Sequence, residues 1–372
     1  MSLALHLYQS PMDNESRLMR MARSLVAADL GVQVRLVGLQ VDERSGLQPV
    51  EPGIVIDRVG NPTPKRDTLA SRFQKVGGWF QEVYRAYRDA DIGVVSAHAV
   101  WALPLAWALA KRAKAPLVYN PHELETRTPT MAGVKKTLAE QVEARFIRRC
   151  QVVTAVNDEI ADWYAQQYRI ARPLVVFNYP AEVTRGRPAR DLRGELGLRD
   201  DEVLFVHTGH LTEGRNIPLI LEEFAARARH HVLFVGEGDM RSLVDEAAAR
   251  SPFIHRMDPV LPDEVVSVVA GADMALSLIE TLSQSYAWGS PNKLFEALAA
   301  GVPVLASDLP EMRRRLPAEL LLTSVRDQLK GFLTDLTRPR ALAYREQLAP
   351  LPTWEEGVGP LIGAYRDLLH VG

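Results

Sequence analysis

Short apolar runs alternate with longer amphipathic stretches along most of the chain, a rhythm that predicts strand and helix in turn. The first run, residues 3–8, ends in the polar loop QSPMDNES. A helix with an apolar stripe at Leu18, Met21, Ala22, Leu25 and Val26 follows, and Gly31 closes it before the strand VQVRLVGL. Strand, polar loop, helix, glycine and strand together open an α/β unit. Residues 41–75 are broken by Pro49, Pro52, Gly53, Pro62 and Pro64, with IVIDRV as a strand among them. Residues 66–88 alternate basic and apolar positions, which suits an amphipathic helix or a helix pair broken at Gly77 and Gly78; packing and contact with a lipid surface are both open uses. The strands DIGVVS and APLVYN flank the helix WALPLAWALAKR and deliver His98 and then Asn120, His122 and Glu123 to one sheet edge. A helix over residues 134–149 carries Lys135, Lys136, Arg145, Arg148 and Arg149 on its polar side. The strand QVVTAV, a helix started by Asn157 and Asp158, and LVVFNYP close a first domain at residue 180.

The segment AEVTRGRPARD is charged and poor in apolar residues, so it reads as a linker. The α/β rhythm then restarts. DEVLFVHTG is a strand ending at Gly209; GHLTEGRN leads into the helix IPLILEEFAARA; HHVLFVGEG ends a second strand at Gly236 and Gly238. FIHRMDPV and DMALSLI are further strands, with helices between them. Residues 283–310 then present a polar loop, a short apolar helix stopped by Gly301, and the buried strand VPVLAS. That pattern places Glu296 in the first turn or so of a helix opening toward strand ends, where complementing the helix dipole and binding a ligand are both available uses. The expected architecture is two open, mostly parallel Rossmann-like sheets facing each other across a cleft, with the active site between their carboxyl edges. The boundaries are residues 1–180, 181–345, and a C-terminal segment, 346–372, crossing back to the first domain.

Composition narrows the class. A chain of 372 residues with 47% hydrophobic and 24% charged residues and net charge −2 is ordinary for a soluble globular protein and gives no reason to expect a nucleic-acid partner. A single cysteine, Cys150, excludes an intrachain disulfide, and the nine histidines lack metal-ligand spacing. No basic-flanked apolar leader and no apolar run of membrane-spanning length are visible, so a cytoplasmic enzyme or binding protein is expected.

Candidate chemistry collects at predicted strand ends. GHLTEGRN could rest a diphosphate on backbone N–H groups, with Arg215 supplying a charge-assisted fork; it lacks the GK[ST] of a P-loop, and GEG is only a fragment of a dinucleotide fingerprint. Lys293, directly after Ser290, Pro291 and Asn292, is a second cation, and two cations on one anion suit a diphosphate leaving group where no metal site is visible. Glu296 would then accept from a ribose diol. In the first domain the loop holding Asp13, Asn14, Ser16 and Arg17 sits at the end of the first strand, where helix capping by Asn14 or Ser16 and ligand contact are both consistent.

With these residues the chain resembles the retaining glycosyltransferases of the GT-B fold, and specifically the bacterial family GT4, the group 1 glycosyltransferases. The resemblance is strongest over residues 206–310. It implies that Arg215 contacts the donor diphosphate, that His210 stands where an arginine is common, and that Glu296 in LFEALAAGVPV holds the donor ribose. It further implies backbone or side-chain contact with donor at Gly209, Gly236, Ser290, Asn292, Lys293 and Leu294, a reaction-centre contact at His122, and acceptor-side positions at Asp13, Asn14, Ser16, Arg17, His98 and Glu123. The family's other glutamate, eight positions before Glu296, is Trp288 here. The first loop lacks the family's glycines. The implied activity is metal-independent, cofactor-free transfer of a sugar, with retention, from a UDP- or GDP-sugar to a glycan, lipid-linked or small-molecule hydroxyl, in surface polysaccharide or glycolipid synthesis. Peripheral contact with the inner face of the membrane is expected from Trp79, Phe80 and the basic helix near Lys135. A sugar-nucleotide epimerase of the same fold and a non-catalytic nucleotide-sugar-binding homologue are the alternatives, the latter suggested by Trp288 and His210.

Overall fold

The computed structural model describes residues 1–13, 15–60, 69–227 and 229–370, with the side chains of 69–76 left aside. The chain forms two compact α/β units, Met1–Phe177 with Gly357–Gly372, and Asn178–Glu356.

In the first unit the chain runs β1 (Ser2–Leu7), α1 (Ser16–Ala27), β2 (Val32–Leu39), β3 (Gly46–Glu51), β4 (Ile54–Val59), α2 (Leu69–Tyr87) and β5 (Ile92–Ala97). It continues through α3 (Leu103–Ala113), β6 (Leu117–Tyr119), α4 (Gly133–Phe146), β7 (Val152–Ala155), α5 (Asp158–Tyr168) and β8 (Leu174–Val175). The strands form one sheet in the order β3-β4-β2-β1-β5-β6-β7-β8. Every pairing is parallel except β3 with β4. Strand β3, within the Pro-broken residues 41–75, is an edge strand with an irregular register beside Pro49, a setting in which a sheet tolerates proline.

Helix α2 is continuous through Gly77 and Gly78, so the pair does not break it. Trp79 is buried, and its indole N–H donates to the Gly38 carbonyl at 3.0 Å. This residue therefore packs the helix onto the sheet and cannot serve as the surface anchor expected of it. Among the described residues no helix is long and apolar enough to cross a membrane.

The second unit opens with α6 (Glu182–Arg185) and α7 (Leu192–Leu196), so the expected linker is partly helical and Thr184 within it is buried. There follow β9 (Leu204–Thr208), α8 (Ile217–Arg227), β10 (His231–Val235), α9 (Arg241–Arg250), β11 (Ile254–Met257), α10 (Val265–Ala270) and β12 (Met274–Ser277). The remainder comprises α11 (Gln284–Ala287), α12 (Asn292–Ala299), β13 (Val304–Ser307), α13 (Pro310–Arg315), β14 (Leu321–Leu322), α14 (Val325–Asp335), α15 (Arg338–Ala343) and α16 (Trp354–Gly357). The chain then returns to the first unit as α17 (Gly359–His370). The six strands lie in the order β11-β10-β9-β12-β13-β14, all parallel. Central β9 and β10 are buried at every position, as strands covered by helices on both faces must be. Phe205, Phe224 and Phe234 anchor this core, each contributing about 1.5–3 kcal/mol of burial free energy.

A buried carboxylate organises one edge of the first sheet. Glu143 on α4 accepts from the hydroxyls of Tyr119 (2.6 Å), Tyr168 (2.7 Å), Tyr164 (3.1 Å) and Thr126 (3.3 Å). Tyr119 ends β6 and Thr126 lies just beyond the loop that carries His122, so this one side chain ties both ends of that loop to α4. Burial pushes the Glu143 carboxyl above its ordinary range while the four donors oppose the shift. Replacing Glu143 by Ala leaves buried hydroxyls without their acceptor, and a loss of roughly 2–3 kcal/mol is expected in denaturant unfolding. Glu143→Gln, which keeps one acceptor, should lose less; an equal loss for both would assign the effect to side-chain volume.

Candidate functional site

In the second unit, polar side chains gather where β9 ends and α12 begins. The last two residues of β9 each hold one of them. Lys293 Nζ lies 3.1 Å from His207 Nε2, and Thr208 Oγ1 donates to Glu296 at 3.3 Å. Pro291 caps α12, so Asn292 and Lys293 occupy its first two positions and Glu296 its fifth, just past the first turn. Burial and the nearby Arg215 charge lower the Lys293 ammonium to about 7, with Glu296 opposing the shift. His207 is fully buried and held well below its ordinary value by burial, then by Lys293 and Arg215, so it stays neutral and accepts from the ammonium.

Arg215 lies on the loop between β9 and α8, with its guanidinium over the Tyr286 ring, 4.4 Å from the centroid. That loop is fastened at several points. Glu280 N–H donates to the Gly214 carbonyl (3.0 Å), and Asn216 Nδ2 donates to the Leu278 carbonyl (3.3 Å). The loop after β10 nests against it: Gly209 N–H donates to Val235 and Leu211 N–H to Glu237. A Cβ at Gly236 would stand 2.0 Å from the Gly209 carbonyl oxygen, and one at Gly238 2.3 Å from that of Leu211. The two glycines are thus required by backbone contact between loops, a stronger reason than ending a strand.

The remaining second-unit candidates separate. His210 is exposed on the loop. Asn292 is exposed and accepts from Asn178 Nδ2 at 2.8 Å, and Ser290 is half-buried just before α12. Leu294 is fully buried and its N–H donates to the Pro291 carbonyl, so it packs α12 into the core and offers no ligand contact. Trp288 ends α11, donating its N–H to the Gln284 carbonyl.

In the first unit, three histidines line up across adjacent strand ends. His6 sits on β1, His98 follows β5 and His122 follows β6. His6 Nδ1 is 3.0 Å from His98 Nε2, and His98 Nδ1 is 3.2 Å from His122 Nε2. His6 and His98 are completely buried and His122 is half-buried beside the Tyr8 ring, 4.9 Å between centroids. Burial lowers His6 and His122 to about 3 and His98 well below its ordinary value. His98 is therefore not presented to an acceptor. It lies between His6 and His122, because β5 runs between β1 and β6.

The first loop is also less open than its polarity suggests. Asp13 pairs with Arg44 (2.7 Å) and with the buried Arg58 (3.2 Å). Arg17 is buried, donating to the Val176 carbonyl (2.9 Å) and to Asn120 Oδ1 (3.4 Å), so it braces strand ends instead of facing a substrate. Glu15, not Ser16, occupies the cap of α1, and Ser16 is its first helical residue; Asn14 lies outside the described residues. Glu123 is exposed. Glu125, not singled out from the sequence, accepts from the His122 backbone N–H at 3.4 Å, and burial, then Glu123 and Glu143, pushes its carboxyl up to about 8. His6, His207, Thr208 and Tyr286 were missed as well. The available signal for the first three was a polar residue within an otherwise apolar strand.

The chain matches the model of Glycosyltransferase Family 4 over residues 15–180 and that of Glycosyl transferases group 1 over residues 202–345. No curated protein matches the sequence significantly. Among solved structures, the sucrose-phosphate synthase from Thermosynechococcus elongatus is similar at TM-score 0.78 and 16% identity, with 100% of both chains covered. Anabaena HepE in complex with UDP-glucose is similar at TM-score 0.66 and 14% identity, covering 100% of this chain and 97% of that one. The E. coli trehalose-6-phosphate protein bound with UDP-2-fluoro glucose reaches TM-score 0.64 at 12% identity, with 100% of both chains covered. Identities this low speak for the fold, which is the two-domain GT-B architecture of paired Rossmann-like sheets. With its two halves matching the two domain families in order, the chain belongs to the GT4-like group 1 glycosyltransferases.

Proposed function

We propose that this glycosyltransferase transfers a sugar, with retention of anomeric configuration, from a nucleotide diphosphate sugar to an acceptor hydroxyl. The observation that carries the reading is the pair Lys293 and Arg215 beside the end of β9, with Glu296 on the same helix as Lys293 and held by Thr208. Half-buried cations, one on the loop after a strand and one in the first turn of a helix, suit a diphosphate, and a carboxylate one turn away suits a ribose diol. That similar folds hold UDP-glucose and UDP-2-fluoro glucose supports a donor of this class.

In the proposed reaction the bond from the anomeric carbon to the diphosphate oxygen breaks, and its electron pair leaves with the diphosphate. The acceptor oxygen bonds to the anomeric carbon from the same face, and its proton passes to the departing diphosphate. Arg215 and Lys293 stabilise the charge that develops on the leaving group, where fixed cations act most strongly. His122 hydrogen-bonds the transferred sugar. A screen of nucleotide diphosphate sugars by calorimetry, followed by product formation with hydroxyl acceptors, tests the reading; absence of binding to every common donor would overturn it.

Arg215→Ala should weaken nucleoside diphosphate binding roughly tenfold to a hundredfold, the range for a charge-assisted hydrogen bond, and leave nucleoside binding nearly unchanged. Equal losses for both ligands would remove Arg215 from the phosphate.

Lys293 makes binding pH-dependent, with a definite sign. The free ammonium titrates at about 7, and a diphosphate beside it favours the charged form, raising that value in the complex. Binding therefore takes up a proton. Affinity for an intact nucleotide diphosphate sugar should be full below pH 7 and fall as pH rises above it, approaching about tenfold per pH unit until the bound lysine itself titrates. His207 is already neutral across this window and adds no slope. Lys293→Met should bind more weakly and lose the dependence; a slope that survives in this variant belongs to another group.

A further inference from the structure

The three aligned histidines of the first unit constrain one another's protons. Each is neutral near pH 7, because all three are held far below the ordinary imidazole value by burial. A neutral imidazole has one N–H and one bare nitrogen. His98 uses both nitrogens, Nε2 toward His6 and Nδ1 toward His122. Only two arrangements satisfy both contacts, and in each the protons all point the same way along the row. In the first, His6 Nδ1–H donates to His98 and His98 Nδ1–H donates to His122. In the second, every donor is reversed.

The inner end of the row separates them. His6 is 0% exposed, and its Nε2 meets no hydrogen-bond partner among the described residues. The Tyr365 ring of α17 stacks on the His6 imidazole, 6.2 Å between centroids, while the Tyr365 hydroxyl is engaged with Ser96 at 2.6 Å. The reversed arrangement would put an N–H at His6 Nε2 with no acceptor in a sealed position. The forward arrangement leaves only a bare lone pair there, the less costly orphan.

We infer that His6 and His98 are positioning residues that hold His122 in its Nδ1–H tautomer, so that His122 presents a hydrogen-bond donor to the transferred sugar and cannot act as the base for the acceptor proton. The inference rests on the proposed contact between His122 and the sugar for its functional meaning, but the proton arrangement belongs to the ligand-free protein. It accords with the departing diphosphate as proton acceptor, since His122 Nε2 is already occupied by the His98 N–H. The C-terminal helix gains a role as well: Tyr365 walls off the inner end of the row.

Nitrogen NMR on protein carrying ring-labelled histidine tests this without substrate. The nine histidines are few enough for the His122 signals to be identified by their loss in His122→Asn. The expected result at pH 7 is a protonated Nδ1 and a bare Nε2 at His6, His98 and His122, the minor form of free neutral histidine and therefore a distinctive signature. In His98→Phe, His122 should revert to the Nε2–H form, and transferase kcat should fall about tenfold with KM little changed, as for a lost orienting hydrogen bond. An Nε2–H or doubly protonated His122 in the native protein, or a His122 tautomer indifferent to His98→Phe, would overturn the inference. If the native spectrum shows the expected forms and no donor yields product, the relay stands and the transferase reading fails.

Discussion

Parallel strand pairing is the constraint from which the rest of this structure follows. In a parallel sheet all strands end on the same edge, so the loops after β9, β10 and β12 are brought together however far apart they lie in the chain. Loops so crowded need backbone that tolerates close approach. Gly236 and Gly238 meet that need, standing where any side chain would strike the carbonyls of Gly209 and Leu211. The same crowding sets the electrostatics. Lys293 and Arg215 share a partly buried corner with a neutral histidine, so their charges are poorly solvated and only partly offset by Glu296. Such a corner suits the diphosphate proposed for it.

The first sheet solves a similar problem with neutral groups. Three imidazoles at neighbouring strands hydrogen-bond in a row, and burial keeps them uncharged. In the same sheet Glu143 accepts from the hydroxyls of three tyrosines and a threonine, which holds the loop after β6 in place. Arg17, buried under the same edge, spends its hydrogen bonds on the Val176 carbonyl and Asn120. Buried polar groups in both units are thus engaged mainly in fixing loops.

The α/β order, the strand ends and the helix bearing Glu296 were legible in the sequence, because apolar periodicity changes plainly between strand and helix and Gly301 marks the stop. Strands β3 and β14 were not: one is a polar, Pro-bearing edge, and the other is two residues within three consecutive leucines, too short to read as a strand. Gly77 and Gly78 left one helix or two open in the sequence, and the structure has one. Glycine weakens a helix by a fraction of a kcal/mol to about 1 kcal/mol, which the packing of buried Trp79, Val83 and Tyr87 exceeds. Trp288 remained the informative departure. It closes α11 shortly before α12, at the position where the family resemblance implies a glutamate.

The sequence by itself determined the fold class, the family and the identity of the polar residues at strand ends, since those depend on local periodicity and on spacing within single segments. It could not determine which of these residues face one another. His6 and His98 are ninety-two positions apart, His207 and Lys293 eighty-six, and Thr208 and Glu296 eighty-eight. Those meetings arise from the order of strands in a sheet, which joins β1 to β5 and β9 to β12 and is written in no local pattern. Burial was decided at the same level. It turned His98 and Arg17 from candidate contacts into supports, and brought the Lys293 ammonium to about 7, because the cost of a charge depends on what surrounds it in space.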